Sequence, residues 1–175
     1  NILNEMYAKD CSRKIRAVVK AKGNSGKHIS SFPPLGYIKD SEDKEKWIID
    51  EEAALIVKEI FNLCVKGYGP SQIARILTER GIETPTMYFH RKGIPTPGKI
   101  KQDSDVWAKQ SVVHILENEE YLGRTVNFKT YKKSYKSKKY IENPRENWVI
   151  VENTQEAIID QETFDIVQNL RKAKR

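Results

Sequence analysis

With 175 residues, 38% of them hydrophobic and 31% charged, the chain suits one ordinary domain or two small ones and is too rich in apolar residues to be disordered. Its 31 Lys and Arg against 24 Asp and Glu give a net charge of +7 and a pI near 9.3, a balance that favours a polyanionic partner. No apolar run long enough to span a bilayer and no signal-peptide pattern is present, and Cys11 and Cys64 stand in no disulfide or zinc spacing, so a cytoplasmic protein with reduced thiols is expected.

Residues 3–22 hold no Pro or Gly and are predicted as a helix carrying Lys9, Arg13, Lys14, Arg16, Lys20 and Lys22 against only Glu5 and Asp10. The Gly/Ser-rich stretch 23–31, which includes Lys27, runs into Pro33-Pro34 and is expected to be an extended, flexible connection. Segments 36–40 and 46–50 flank a charged turn and predict a short hairpin. Asp50 with Glu51 and Glu52 then marks a helix start, and the spacing of Ala53, Ile56, Val57, Ile60, Phe61 and Cys64 predicts a buried stripe. Gly67-Tyr-Gly-Pro70 ends that helix, and Ser71 is expected to open a second one through Arg80 that buries Ile73, Ala74 and Leu77.

From Glu83 to Asp105, Pro85, Pro95, Pro97, Gly93 and Gly98 alternate with Arg91, Lys92, Lys99 and Lys101, which predicts a long basic loop. A third helix over about 108–117 turns Val112, Ile115 and Leu116 inward and presents Gln110, Ser111, His114, Glu117 and Asn118. Residues 124–131 and 147–152 have strand character, and between them lies a lysine-rich turn. Arg124, Lys129, Lys132, Lys133, Lys136, Lys138 and Lys139 fall there without one acid, interleaved with Tyr131, Tyr135 and Tyr140. Asp160 caps a last helix with Phe164, Val167 and Leu170 inward.

Bases therefore come in separate blocks, as a protein that follows the phosphates of a duplex requires. Two helices joined by a tight turn, with a third beyond, form a helix-turn-helix pattern whose third helix can enter a major groove. On that helix Gln110 and Asn118 suit adenine, Lys109 a guanine or a phosphate, and Ser111 either pattern. Other chemistries fail on spacing. In Gly23-Asn-Ser-Gly-Lys27 the glycines stand too close for a phosphate loop and His28 replaces the magnesium-binding Ser or Thr. His28, His90 and His114 have no metal spacing, no catalytic triad can be assembled, and Asp103, Asp105, Glu117, Glu119 and Glu120 are expected to be solvated rather than a nuclease metal site.

Taken together, Ile15-Arg-Ala, Lys22-Gly23, Phe32-Pro-Pro-Leu-Gly-Tyr37, Ser71-Gln-Ile-Ala-Arg-Ile-Leu, Gly81-Ile, Trp107, Ile115-Leu116, Asn118, Tyr121, Gly123, Ala157-Ile-Ile-Asp160 and Phe164 resemble the recombinase domain of the large serine recombinases, the integrases and transposon recombinases of mobile elements. The resemblance implies that residues 1–22 end a long helix from a catalytic domain, that 23–35 form a linker whose part around 26–32 runs along the minor groove, and that 36–175 form the DNA-binding domain. It implies a parent that exchanges strands through a phosphoserine intermediate, as a dimer on one site and a tetramer in synapsis. No catalytic serine is carried over to this chain, and the zinc-ribbon domain is expected to lie beyond it.

The fold class expected is α+β, a winged-helix-like three-helix domain with small β-hairpins behind a basic helix and linker. Double-stranded DNA is the expected partner, with no membrane, cofactor or metal. Arg13, Lys14, Arg16, Lys20, Lys22 and Lys27 are assigned to phosphates or the minor groove, Lys109, Gln110, Ser111 and His114 to the major groove, and Arg91, Lys92, Arg124, Lys132, Lys133 and Lys136 to further DNA contacts. Rival readings are a stand-alone helix-turn-helix transcription regulator, a protein-interaction module with an acidic partner, and a metal-dependent nuclease.

Overall fold

The computed structural model describes residues 1–95 and 100–173. Residues 96–99 of the expected basic loop and 174–175 of the basic end lie outside the described residues. The architecture is α+β, and the chain divides into two compact units, one of Asn1–Ser31 with Gly123–Gln155, the other of Phe32–Leu122 with Glu156–Arg175.

The second unit holds the hydrophobic core. Strands β1 (Tyr37–Lys39) and β2 (Trp47–Ile49) pair antiparallel, with Tyr37 opposite Ile49. Of the stripe predicted from helical spacing, helix α2 (Glu51–Val65) buries Ala53, Val57, Ile60, Phe61 and Cys64 and leaves Ile56 half-buried, and its first-turn acids complement the helix dipole. Asp50 stands at the N-cap position but makes no side-chain capping bond, because its carboxylate accepts the Tyr88 hydroxyl at 2.7 Å. Helix α3 (Pro70–Glu79) begins one residue before the expected Ser71: Gly69 is the N-cap and Pro70 occupies the first turn, where its missing N–H is harmless.

Tyr37, Phe61, Tyr121 and Phe164 link the hairpin, α2 and the last helix through ring pairs 6.1–6.3 Å apart. The phenols of Tyr37 and Tyr121 donate to the carbonyls of Glu156 and Leu35 at 2.6 and 2.7 Å. Burial keeps both phenols protonated by pushing their pKa values far up. Gly36, at φ +105°, is required there, since a Cβ would sit 2.8 Å from Ile158.

Two features of this unit depart from the sequence reading. The predicted loop after Glu83 contains helix α4 (Pro85–Arg91). Thr84 caps it through the Met87 N–H and Pro85 takes its first position, so the proline that read as a loop signal starts a helix. Beyond α5 (Lys109–Glu117), helix α6 (Gln161–Ala173) follows Asp160 as expected, with the Thr163 N–H bonded to Asp160 Oδ1 at 2.7 Å. On α6 Phe164 and Val167 are buried, but Leu170 only in part.

In the first unit, α1 (Ile2–Asn24) runs two residues past the expected boundary. The predicted strand 124–131 is split into β3 (Thr125–Asn127) and β4 (Thr130–Tyr131), because Phe128 adopts a left-handed φ of +61° between them. Strand β3 pairs with β6 (Val149–Val151), while β4 pairs with β5 (Ile141–Glu142), a strand that the lysine-rich composition concealed.

The stretch after α1 is not the flexible connection expected: Gly23, Gly26 and His28 are buried. Asn127 is the reason. Its Nδ2 donates to the carbonyls of Gly23 (3.1 Å) and Lys27 (2.8 Å), and its Oδ1 accepts the Ile29 N–H at 3.5 Å. Gly23 lets the Phe128 ring lie directly on the helix end, where any Cβ would clash with it. The Gly/Ser composition signalled backbone freedom; a buried amide on a strand a hundred residues away removes it.

His28 packs against the Thr125 hydroxyl, and burial pushes its pKa down from 6.5 to about 4, opposed by a hydrogen bond to Gln155 and reinforced by Lys22. Because the unfolded chain binds this proton more readily, the stabilisation is complete above pH 6.5 and is lost progressively as pH falls from 6.5 to 4. The amount is at most about 3.5 kcal/mol, since each tenfold difference in proton affinity is worth about 1.4 kcal/mol. Urea midpoints measured across this window should fall more steeply for the unaltered chain than for His28→Gln. Parallel curves would show that His28 is not buried neutral.

Candidate nucleic-acid interface

The polar face of α5 is built by its apolar one. Val112, Ile115 and Leu116 are buried against α2, α3 and α6, which fixes the helix roll and leaves Lys109, Gln110, His114 and Glu117 exposed and Ser111 half-buried. Helices α2, α3 and α5 all pack on one another, the three-helix unit expected. Trp107, buried just before α5, donates its backbone N–H to Thr78 Oγ1 (3.0 Å) and its indole N–H to the Ile82 carbonyl (2.8 Å). At the other end of α5, Gln168 donates to the Leu116 carbonyl and Arg171 pairs with Glu117 at 2.5 Å. A helix held at both ends presents its outer side chains at fixed positions, as base reading demands.

The Gln110 amide nitrogen and His114 Nε2 lie 3.4 Å apart across one turn, so the two candidate readers form a single polar patch. Beside them opens a cleft of about 390 Å³ lined by Tyr68, Pro70, Lys109, Gln110, Val113 and Arg171 among others. Ser111 sits deeper than its neighbours and has the least reach of the four major-groove candidates.

The remaining candidates differ in how much positive charge they have left to offer. Arg91 is held by both Glu52 and Glu83, and Lys92 pairs with Glu52 at 2.9 Å. Both cations also lie 5.1–5.5 Å from the Tyr88 ring, so together they clamp α4 to the start of α2. Arg124 is 17% exposed and pairs with Glu152 at 3.2 Å, a structural placement.

On α1 the side chains before Gly23 are exposed or half-exposed, and the residues divide by helical spacing. Lys9, Arg13, Arg16 and Lys20 follow one another at intervals of four, three and four along one face. Leu3, Tyr7, Cys11, Ile15 and Val18 run along the opposite face, where all but the half-buried Cys11 are at least 63% exposed. The bases were legible in the sequence; the apolar row between them was missed, although its spacing is the ordinary helical signal. Lys14, which pairs with Asp10 at 2.9 Å, and Lys22 fall outside the basic row. Lys27 is exposed. In the β4–β5 ribbon Lys133 and Lys136 are exposed, and Lys132 lies 4.4 Å from the Tyr140 ring centre.

Among the described residues no group of three or more His, Cys, Asp or Glu side chains is placed to hold a metal. No helix among them is long and apolar enough to cross a membrane.

The fold and sequence have recognisable relatives. The chain superposes on a chain of a solved LSR–DNA complex with a TM-score of 0.51, 18% identity, and coverage of 91% of this chain and 39% of the other. A structure concerned with the sequence requirements of the Listeria innocua prophage attP site matches with a TM-score of 0.52, 18% identity, and coverage of 91% and 51%. The uncharacterized protein YefB of Bacillus subtilis (strain 168) is 34% identical over 93 residues, half of this chain and 31% of YefB. The chain thus spans about a third of that curated relative and no more than about half of either solved chain. The family model described as Recombinase matches residues 51–174, well over half of the sequence, and with α2 to α6 inside that span the chain belongs to this family.

Proposed function

We propose that this chain binds duplex DNA sequence-specifically at recombination half-sites, attachment or transposon-end, as the DNA-holding portion of a site-specific serine recombinase. The observation that carries the reading is the exposed row Lys109, Gln110 and His114 on a helix whose opposite face is locked in the core. The packed α2, α3 and α5 serve as the helix-turn-helix, and the small hairpins as its winged-helix-like additions. Family membership supports a role in recombination, and both solved relatives concern DNA, one a complex and one an attachment site. The strand-cutting serine and any zinc ribbon belong to the parent outside these residues, and the fragment acts without a cofactor. The exposed apolar row of α1 suits a second helix, in keeping with a parent that is dimeric on a site and tetrameric in synapsis.

Selection of bound duplexes from a random pool should return one consensus. Gln110→Ala should then relax preference at a single base position by roughly 10- to 100-fold, the worth of one bidentate contact, with little change on scrambled duplex. A preference profile unaltered by this substitution would remove α5 from the major groove. A chain that performs the same recognition as a stand-alone regulator would bind its consensus without any recombinase partner encoded with it, which the neighbouring reading frame decides.

A further inference from the structure

The two units carry opposite net charge. Asn1–Ser31 with Gly123–Gln155 contain 15 Lys and Arg against 5 Asp and Glu, whereas the other unit contains 16 against 19. The whole positive excess of the chain therefore resides in the unit that lacks α5.

Ion pairs occupy some cations in both units, Arg13, Lys14, Arg124 and Lys136 among them in the first. In the α5-bearing unit Arg75, Arg80, Arg91, Lys92 and Arg171 are each bound to a carboxylate. In the other, Lys9, Arg16, Lys20, Lys133, Lys138 and Lys139 form no ion pair among the described residues. The ribbon also touches the helix. Glu5 stands one turn before Lys9 in the same helical row as Arg13, Arg16 and Lys20, and it is the residue that Lys136 of the ribbon contacts. The ribbon thus meets α1 on its basic side, and the one acid of that row is already neutralised. The tyrosines of the ribbon hold two of its lysines, with Lys132 4.4 Å from the Tyr140 ring centre and Lys136 5.7 Å from that of Tyr135.

We infer that this helix-and-ribbon surface is a sequence-blind clamp for the phosphates of duplex DNA, and that it supplies the salt-dependent affinity while the α5-bearing unit supplies discrimination. The inference rests on the DNA-binding reading above and divides its labour. Replacing three exposed lysines by uncharged residues removes up to three counterion-releasing contacts, each worth about 0.9 in the slope of log K against log salt. In this division of labour the α5-bearing unit makes few such contacts and adds little to that slope.

The test uses the full chain and measures Kd for matched and scrambled duplexes from low to high salt. The triple substitution Lys133→Gln, Lys138→Gln, Lys139→Gln should flatten the slope by up to about 3. It should also weaken both duplexes alike, on the order of a hundredfold at about 0.15 M salt, with the ratio between them unchanged. Glu5→Gln, which releases Lys136 and removes the one acid of the row, should tighten both duplexes and steepen the slope. Neutralising Lys39, Lys44 and Lys46 in the other unit should leave the slope within about 1 of its original value. Full binding with an undiminished slope in the ribbon variant overturns the clamp and spares the DNA-binding reading. A loss confined to the matched duplex overturns it too, by assigning the ribbon to base reading. Failure of the unaltered chain to bind any duplex overturns the reading beneath it.

Discussion

Trp107→Ala should destabilise the protein by roughly 3–5 kcal/mol and lower its Tm by on the order of 10–20 °C, the range for deleting a buried indole from a well-packed site. Three losses combine. The ring, 4% exposed, leaves a cavity between α3 and the start of α5; the Ile82 carbonyl loses its donor; and the segment that carries Thr78 to the first turn of α5 loses its anchor. The consequence reaches function, because α5 is positioned from this end. At a temperature where the variant remains folded, matched-duplex affinity should fall by more than scrambled-duplex affinity, since the face of α5 that we propose to read bases is displaced while the cationic surface is untouched. Trp107→Phe, which keeps most of the volume but not the indole N–H, should recover the greater share of the stability and show the hydrogen-bond contribution separately, about 1–2 kcal/mol. Thermal unfolding of the two variants decides this. Equal Tm values for Trp107→Ala and the unaltered chain would mean that the residue does not anchor α5.

The second large effect is expected at Asn127. Replacing it by Ala strips donors from the Gly23 and Lys27 carbonyls and an acceptor from the Ile29 N–H, in a site where Asn127 is 3% exposed. Each orphaned group costs about 1–3 kcal/mol where it stays buried, so a loss of roughly 2–4 kcal/mol is expected, limited by how far the segment escapes to solvent. That escape is the diagnostic: residues 24–31 should become sensitive to limited proteolysis and the Ile29 amide should lose exchange protection, while the Trp47 and Tyr121 core of the other unit stays protected. Asn127→Asp, which keeps the acceptor for Ile29 and loses both donors, should behave like Ala for the carbonyls. Unchanged proteolysis in both variants would show that the segment is held by something other than this amide.

Some of the molecule was open to inspection before any coordinates. Helical spacing located the buried stripes of α2, α3 and α5, and Asp160 announced the last helix, because local periodicity and capping are properties of a few consecutive residues. The same reasoning placed Gln110 and His114 on the outer face of α5, where they are. It failed where a residue has two meanings. Pro85 marks a loop or the first turn of a helix, and the Tyr88 ring, buried with its hydroxyl on Asp50, decided for the helix. Gly23 and Gly26 permit flexibility without compelling it, and Asn127 removed it.

By itself the amino-acid sequence determined the α+β class, the helical faces and the excess of positive charge, which follow from composition and short-range spacing, and its motifs taken in order along the chain carried the resemblance to recombinases. Only the tertiary structure decided which charges remain available. Arg91 and Lys92 are balanced by Glu52 and Glu83, whereas Lys136 meets Glu5 across more than a hundred residues and joins the ribbon to the basic side of α1. The physical reason is that a charge is present wherever its residue is, but its field depends on the counter-charge that folding brings within a few ångströms, and that partner is set by long-range contacts.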